Sequence, residues 1–167
     1  FDFLTDSEYV SLEAELWREA VDVLPGGVSD LWRDAVRLGE HVNGTFLYDP
    51  LSTHAGTRMR DELRERRGVC QDFAHVLLQL LRTMGIPSRY VSGYICPNKN
   101  GMRGEGATHA WVEAWIPQLG WIGIDPTNNV WATTHHVKLA VGRHFNDCSP
   151  VKGTFKGLAR QTLSVYV

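Results

Sequence analysis

From Phe73 onward the apolar positions Phe73, Leu77, Leu80, Leu81 and Met84 fall at i, i+4, i+7, i+8 and i+11, one stripe of an α-helix. Gly85 and Pro87 stop it. Extended backwards by three residues the stripe lands on Cys70, which predicts a thiol in the first turn, on the core-facing side. Ser88 to Ile95 (SRYVSGYI) is rich in β-branched and aromatic residues and reads as a strand. Pro97 to Gly106 is turn chemistry, a mobile loop, and Asn98 to Gly106 within it is a candidate lid. Thr108 to Ile116 (THAWVEAWI) then alternates, with His109, Trp111, Glu113 and Trp115 on one face and Ala110, Val112, Ala114 and Ile116 on the other. Gly120 to Asp125 is a second strand ended by Pro126, and the two predict an antiparallel hairpin. Upstream, residues 7–24 read as an amphipathic helix after a Thr5/Asp6/Ser7 cap, closed by Pro25-Gly26-Gly27. A second helix is predicted from Asp30 to about Val42, stopping near Asn43-Gly44, with a short extended piece at Thr45 to Tyr48. The charged stretch at 58–66 reads as a solvated helix or loop.

Composition narrows the class. A chain of 167 residues is one domain's worth and needs no disulfide staple. Lys and Arg number 17 against 19 Asp and Glu, a formal charge of −2, with 43% hydrophobic and 22% charged residues. This excludes a disordered tail, a collagen and a polybasic nucleic-acid clamp. The chain shows neither an apolar run of membrane-span length nor a charged-then-apolar leader, so a soluble, cytoplasmic protein without nucleic-acid or membrane partners is expected. Cys70, Cys96 and Cys148 are odd in number and without paired spacing, which fits reduced thiols.

Thiol catalysis needs an activated sulfur, a base, a group that orients the base, and donors for the developing oxyanion. The first turn of a helix, with unpaired N–H groups and the positive end of the macrodipole, favours a thiolate at Cys70. Gly68 leaves room for a substrate backbone, and the Cys70 N–H is a candidate oxyanion donor. His109 and Asp125 lie at the two ends of the hairpin. Their side chains meet only if both point to one face, which requires a turn with an odd number of residues or a bulge. A regular four-residue turn would pair Ile116 with Trp121 and separate them, so a three- or five-residue connection or a bulge is expected.

RRGVCQDFAHVLLQLLRTMGIPSRYVSGYI, THAWVEAWIPQLGWIGIDPTNN and GRHFNDCSPVKGTFKG together resemble the core of the bacterial transglutaminase-like proteins, often described as cysteine proteases, over roughly residues 5 to 167. The resemblance rests on GVCxDFAH, HAWVE and GWxGxDPTN. It assigns a catalytic triad to Cys70, His109 and Asp125 and implies a papain-like α+β fold, a nucleophile helix on an antiparallel sheet. It also implies neither a metal nor an organic cofactor. Members often carry an additional N-terminal β-rich domain, and the start at Phe1 fits the C-terminal, catalytic part of a longer chain. Where the family commonly has Asp, this chain has His144.

The remaining chemistry is assigned more plainly. Trp111, two residues from His109 on its face, and Gln71 and Tyr94 are the candidate substrate contacts. Trp115, Trp121 and Tyr90 read as core or groove walls. His75 rotates off the Cys70 face and reads as structural. His135, His136, His144 and Cys148 match no usual zinc spacing, so no metal is expected there. The expected activity is acyl transfer through a Cys70 thioester, cleaving a peptide, isopeptide or side-chain amide of a peptide or protein substrate. A protein-glutamine transglutaminase and a non-catalytic peptide-binding module on the same fold are the alternatives.

Overall fold

The computed structural model of the 167-residue chain describes residues 2–11, 13–50, 65–96, 101–149, 153–154 and 156–157. The helix that begins at the thiol, α3 (Cys70–Thr83), lies at the centre, packed on by α1 (Ala14–Val23), α2 (Leu31–Thr45) and the strands β3 (Ser88–Ile95) and β4 (Thr108–Ile116). Every residue from Asp72 to Arg82 is therefore buried, including those off the apolar stripe. The off-stripe polar groups are bonded, as burial demands. Arg82 donates to the carbonyls of Ser88, Thr5 and Arg143, tying the first residues and the chain after the sheet to the helix. His75 Nε2 accepts from the Phe145 N–H, and its ring stacks on Tyr9 and Tyr90. Burial first, then the nearby His144 and Arg82 charges, holds His75 down at about 3, so it is neutral and structural as expected.

Five antiparallel strands form the sheet in the order β6-β5-β4-β3-β7, with β5 at Gly120–Asp125, β6 at Val130–Trp131 and β7 at His136–Gly142. Ala110, Val112, Ala114 and Ile116 face the helices and belong to the core. The opposite face carries His109, Trp111 and Glu113, also buried. There Glu113 is bound by Arg89 on β3 and Lys138 on β7. The α+β architecture expected from the sequence, a nucleophile helix on an antiparallel sheet, is the one observed.

Two helix boundaries differ from expectation. The predicted helix over 7–24 starts only at Ala14, because Ser7 and Val10 close a bridge with hydrogen bonds both ways and Val10 is fully buried in the core. The Thr5/Asp6/Ser7 cap is unused. Asp30 does cap α2, accepting from the Trp32 and Arg33 N–H groups. That helix runs through Asn43-Gly44 to Thr45, because the Asn43 side chain donates to the carbonyls of Pro126 and Thr127. The end of α2 is thereby pinned to the chain just past β5. The strands β6 and β7 are absent from the sequence reading. The charged stretch at 58–66 lies outside the described residues except for Glu65 and Arg66 at its edge.

Candidate active site

Cys70 opens α3 one residue after the extended Val69, so its backbone N–H is among those that a helix start leaves without an intrahelical partner. The Asp72 carboxylate folds back and accepts the Val69 N–H at 2.7 Å. A Cβ on Gly68 would lie 2.3 Å from that carboxylate. The space beside Gly68 is thus taken by Asp72 and is not the substrate clearance expected from the sequence. The two-residue strands β1 (Leu47–Tyr48) and β2 (Arg67–Gly68) pair in parallel and set Tyr48 opposite Gly68. Burial first, and then the neighbouring Cys70, raises the Tyr48 hydroxyl above its ordinary value, with Arg103 opposing. Tyr48 is a neighbour of the thiol that helix periodicity does not reveal, since a two-residue parallel pairing brings it there.

The hairpin of β4 and β5 pairs Trp115 with Trp121 and Ile116 with Gly120, leaving the three residues Pro117, Gln118 and Leu119 as the connection. Positive φ at Gln118 (69°) and Gly120 (82°) makes this short reversal possible. The odd-length connection demanded by the sequence is met, and His109 and Asp125 share a face. His109 Nε2 donates to Asp125 Oδ2 at 2.8 Å between side chains with no solvent exposure. Asp125 Oδ1 accepts the N–H groups of Thr127 and Asn128 at 3.0 and 3.2 Å. Its Oδ2 also accepts from Asn128 Nδ2 at 2.8 Å and from His136 Nε2 at 3.1 Å. Burial opposes the Asp125 charge, but the hydrogen bonds from His109, His136 and Asn128 hold its carboxyl well below the usual range.

Burial likewise opposes a charge on His109. The hydrogen bond to Asp125 and the nearby Cys70 outweigh it and hold the ring up at about 10, as an imidazolium at neutral pH. With Nε2 committed to Asp125, the buried Nδ1 is the atom left for Cys70. An imidazolium beside a thiol at a helix start is the counter-ion that a thiolate needs.

Two neighbours hold the His109 ring. Trp111 lies on it at 6.3 Å between centroids with planes 25° apart, and a Cβ on Gly93 would meet the indole at 2.6 Å. On another side Gly104 comes so close that a Cβ would sit 2.4 Å from Nδ1. Its φ of 89° also disfavours any L side chain. Arg103 latches this loop by exchanging hydrogen bonds with Asn128 and placing its guanidinium over the Tyr48 ring. Replacing Gly104 by Ala is expected to push the loop off His109 and to move the pH midpoint of Cys70 alkylation by iodoacetamide upward by about one unit. An unchanged profile would show that Nδ1 tolerates the added methyl.

The structure brings Cys70, His109 and Asp125 together. Of the candidate substrate contacts, Trp111 is only 1% exposed and serves as a wall, whereas Gln71 and Tyr94 are half-buried. His144 caps the short helix α4 (Phe145–Cys148), and Cys148 lies inside it. The unforeseen member is His136, whose ring is buried beside Asp125. His109, Asp125 and His136 offer three ligand atoms within 4.8 Å of one another. As Nε2–H donors to Asp125 the two rings serve as hydrogen-bond partners, and a cation at this cluster would have to displace both protons.

Residues 20–126 match the Transglutaminase-like superfamily. An uncharacterized protein of Mycobacterium leprae is 45% identical over 123 residues, 72% of this chain and 43% of that protein. A protein-glutamine gamma-glutamyltransferase of Pseudomonas aeruginosa is 40% identical over 70 residues, 39% of this chain and 10% of that protein. Among solved structures, a Cytophaga hutchinsonii protein named as a candidate cysteine protease superposes with a TM-score of 0.74 at 31% identity, covering 88% of this chain and 48% of that one. The periplasmic domain of TgpA from Pseudomonas aeruginosa gives 0.57 at 26% identity, covering 75% and 46%. The chain spans less than half the length of each of these relatives. Among the described residues no helix is long and apolar enough to cross a membrane.

Proposed function

Since this chain belongs to the transglutaminase-like superfamily, we propose that it is a thiol-dependent acyl-transfer enzyme, foremost a cysteine peptidase or amidase acting on a peptide, isopeptide or side-chain amide of a peptide or protein substrate. The observation that carries this reading is the His109 ring, hydrogen-bonded through Nε2 to a buried carboxylate with Cys70 close enough to shift its charge, which leaves Nδ1 to serve the thiol. In the proposed reaction Cys70 Sγ adds to the amide carbon, and the Cys70 N–H supports the resulting oxyanion. His109 passes its Nδ1 proton to the leaving nitrogen, the C–N bond breaks, and an amine or ammonia departs from the thioester. Water then adds to the thioester as His109 takes one of its protons. The C–S bond breaks, an acid is released and the thiolate and imidazolium are restored. Asp125 stays ionised throughout and stabilises the ring's charge.

A second reading replaces water by a primary amine, which makes the chain a transglutaminase. The relative named as a protein-glutamine gamma-glutamyltransferase supports it. A third keeps the groove and loses turnover. These are separated by incubating the protein with glutamine- and asparagine-containing peptides, with and without a fluorescent primary amine. The expected product is a hydroxylamine-sensitive acyl adduct on Cys70, absent from Cys70→Ser. Ammonia release alone supports the hydrolase, and amine incorporation the transferase. If no adduct forms and Cys70 alkylates with the pH profile of an ordinary thiol, near 8.5, the binding module is left. The odd number of cysteines, three without paired spacing along the chain, supports a reducing, cytoplasmic setting for this reading, and the near-neutral charge supports a protein that works without nucleic acid or a membrane surface.

A further inference from the structure

We infer that His136 is a positioning residue, a fixed Nε2–H donor that holds the Asp125 carboxylate against the His109 ring. The inference rests on the proposed roles of Cys70, His109 and Asp125. The first support is the tautomer. His136 Nδ1 accepts the Thr133 backbone N–H at 3.2 Å, and a ring nitrogen that accepts a hydrogen bond carries no proton. The proton is therefore on Nε2, which lies 3.1 Å from Asp125 Oδ2 and donates to it.

The second support is the register of β7. Ser92 on β3 pairs with Ala140, while the next residue, Gly93, pairs with Lys138, so Leu139 is one extra residue in the strand. Beyond this bulge Ile95 pairs with His136. Without it Ile95 would face Val137, and His136 would turn to the helix side of the sheet. With it, His136 shares the face of Gly93 and of its partner His109 on β4. A bulge that re-aims one side chain next to a site is a feature with a consequence, and here the consequence is the contact with Asp125.

The third support is the division of labour on the carboxylate. Backbone N–H groups fix Oδ1, whereas Oδ2, the oxygen that His109 uses, is otherwise held, among the described residues, by the side chains of Asn128 and His136. Asn128 is tied to the Arg103 loop, and His136 to β7 with its edge contact to Trp111 at 5.2 Å. His136 is thus the anchor of Oδ2 that comes from the sheet itself.

The test compares the wild type with His136→Gln, whose amide retains a donor at the same reach, and His136→Phe, which keeps a ring against Trp111 and loses the donor. In wild-type protein, nitrogen NMR of the side chain is expected to show His136 protonated at Nε2 and bare at Nδ1. The reverse tautomer would overturn the inference with no variant needed. His136→Phe is expected to raise the midpoint of Cys70 alkylation by iodoacetamide by about one pH unit, about tenfold in the ionisation equilibrium, and to speed exchange of the His109 Nε2–H by about tenfold. His136→Gln is expected to leave both unchanged. A midpoint that stays or falls in His136→Phe, or a His136→Gln protein that behaves like it, overturns the inference. If wild-type Cys70 itself reacts as an ordinary thiol, the catalytic reading has failed. The exchange of the His109 proton then decides alone, and equal rates in the wild type and His136→Phe sink the positioning role.

Discussion

Replacing His109 by Ala is expected to turn the flat alkylation profile of Cys70 between pH 6 and 8 into one that rises about tenfold per pH unit, as for a thiol ionising near 8.5. The imidazolium held at about 10 is a cation beside the sulfur, and the variant removes it. Above about pH 9 wild type and variant should converge, because an isolated thiol is then ionised without help. Acyl turnover is expected to fall further than alkylation, by about 10⁴-fold, since the leaving nitrogen also loses its proton donor. The packing of Trp111 and Gly104 around the ring means that His109→Asn should accompany the Ala variant, so that a collapsed pocket is told apart from a missing charge. A variant whose profile stays flat would show that the thiol is activated by the helix start alone.

Asp125→Asn is expected to lower stability by about 3 to 5 kcal/mol and acyl turnover by about 10³ to 10⁴-fold. The reason is the inventory of donors. Oδ2 faces three N–H groups, from His109, His136 and Asn128, while Oδ1 accepts two backbone N–H groups. An amide can satisfy one oxygen's partners only by aiming its own NH₂ at the other's. The stability loss carries a pH signature. Asp125, depressed below its ordinary 3.8, contributes stability that is present above that value and lost as the pH falls through its lower folded value. His109, raised from 6.5 to about 10, contributes stability that is full below 6.5 and lost as the pH rises through about 10. The difference in Tm between wild type and Asp125→Asn should therefore be widest from about pH 4 to 6.5 and narrow on both sides. A difference that does not change with pH would mean that Asp125 matters only as packing.

Periodicity places α3 and its first residue, because the stripe from Phe73 to Met84 extends back to Cys70 and nothing tertiary overrides a helix so fully buried. Alternation along β4 places His109 opposite the core positions Ala110 and Val112, and parity alone requires an odd turn before Asp125. These are local properties, since a residue's face follows from its position in a repeat. Where local and tertiary preferences compete, the sequence misleads. The cap at Thr5 to Ser7 is sound by composition, yet burying Val10 outweighs it; Asn43-Gly44 looks like a stop, yet bonds to Pro126 and Thr127 carry the helix on.

What the chain determined by itself is the placement of the three groups proposed to react on the elements that carry them, because each depends on spacing within one segment. Only the tertiary structure decided what surrounds them. Tyr48 reaches Cys70 through a parallel pairing between distant segments, Asp72 fills the space at Gly68, and Gly104 closes on Nδ1. His136 joins Asp125 because one extra residue, Leu139, shifts the register of β7 against β3. A bulge is set by how two strands far apart in the chain fit together, and no repeat within either strand encodes it.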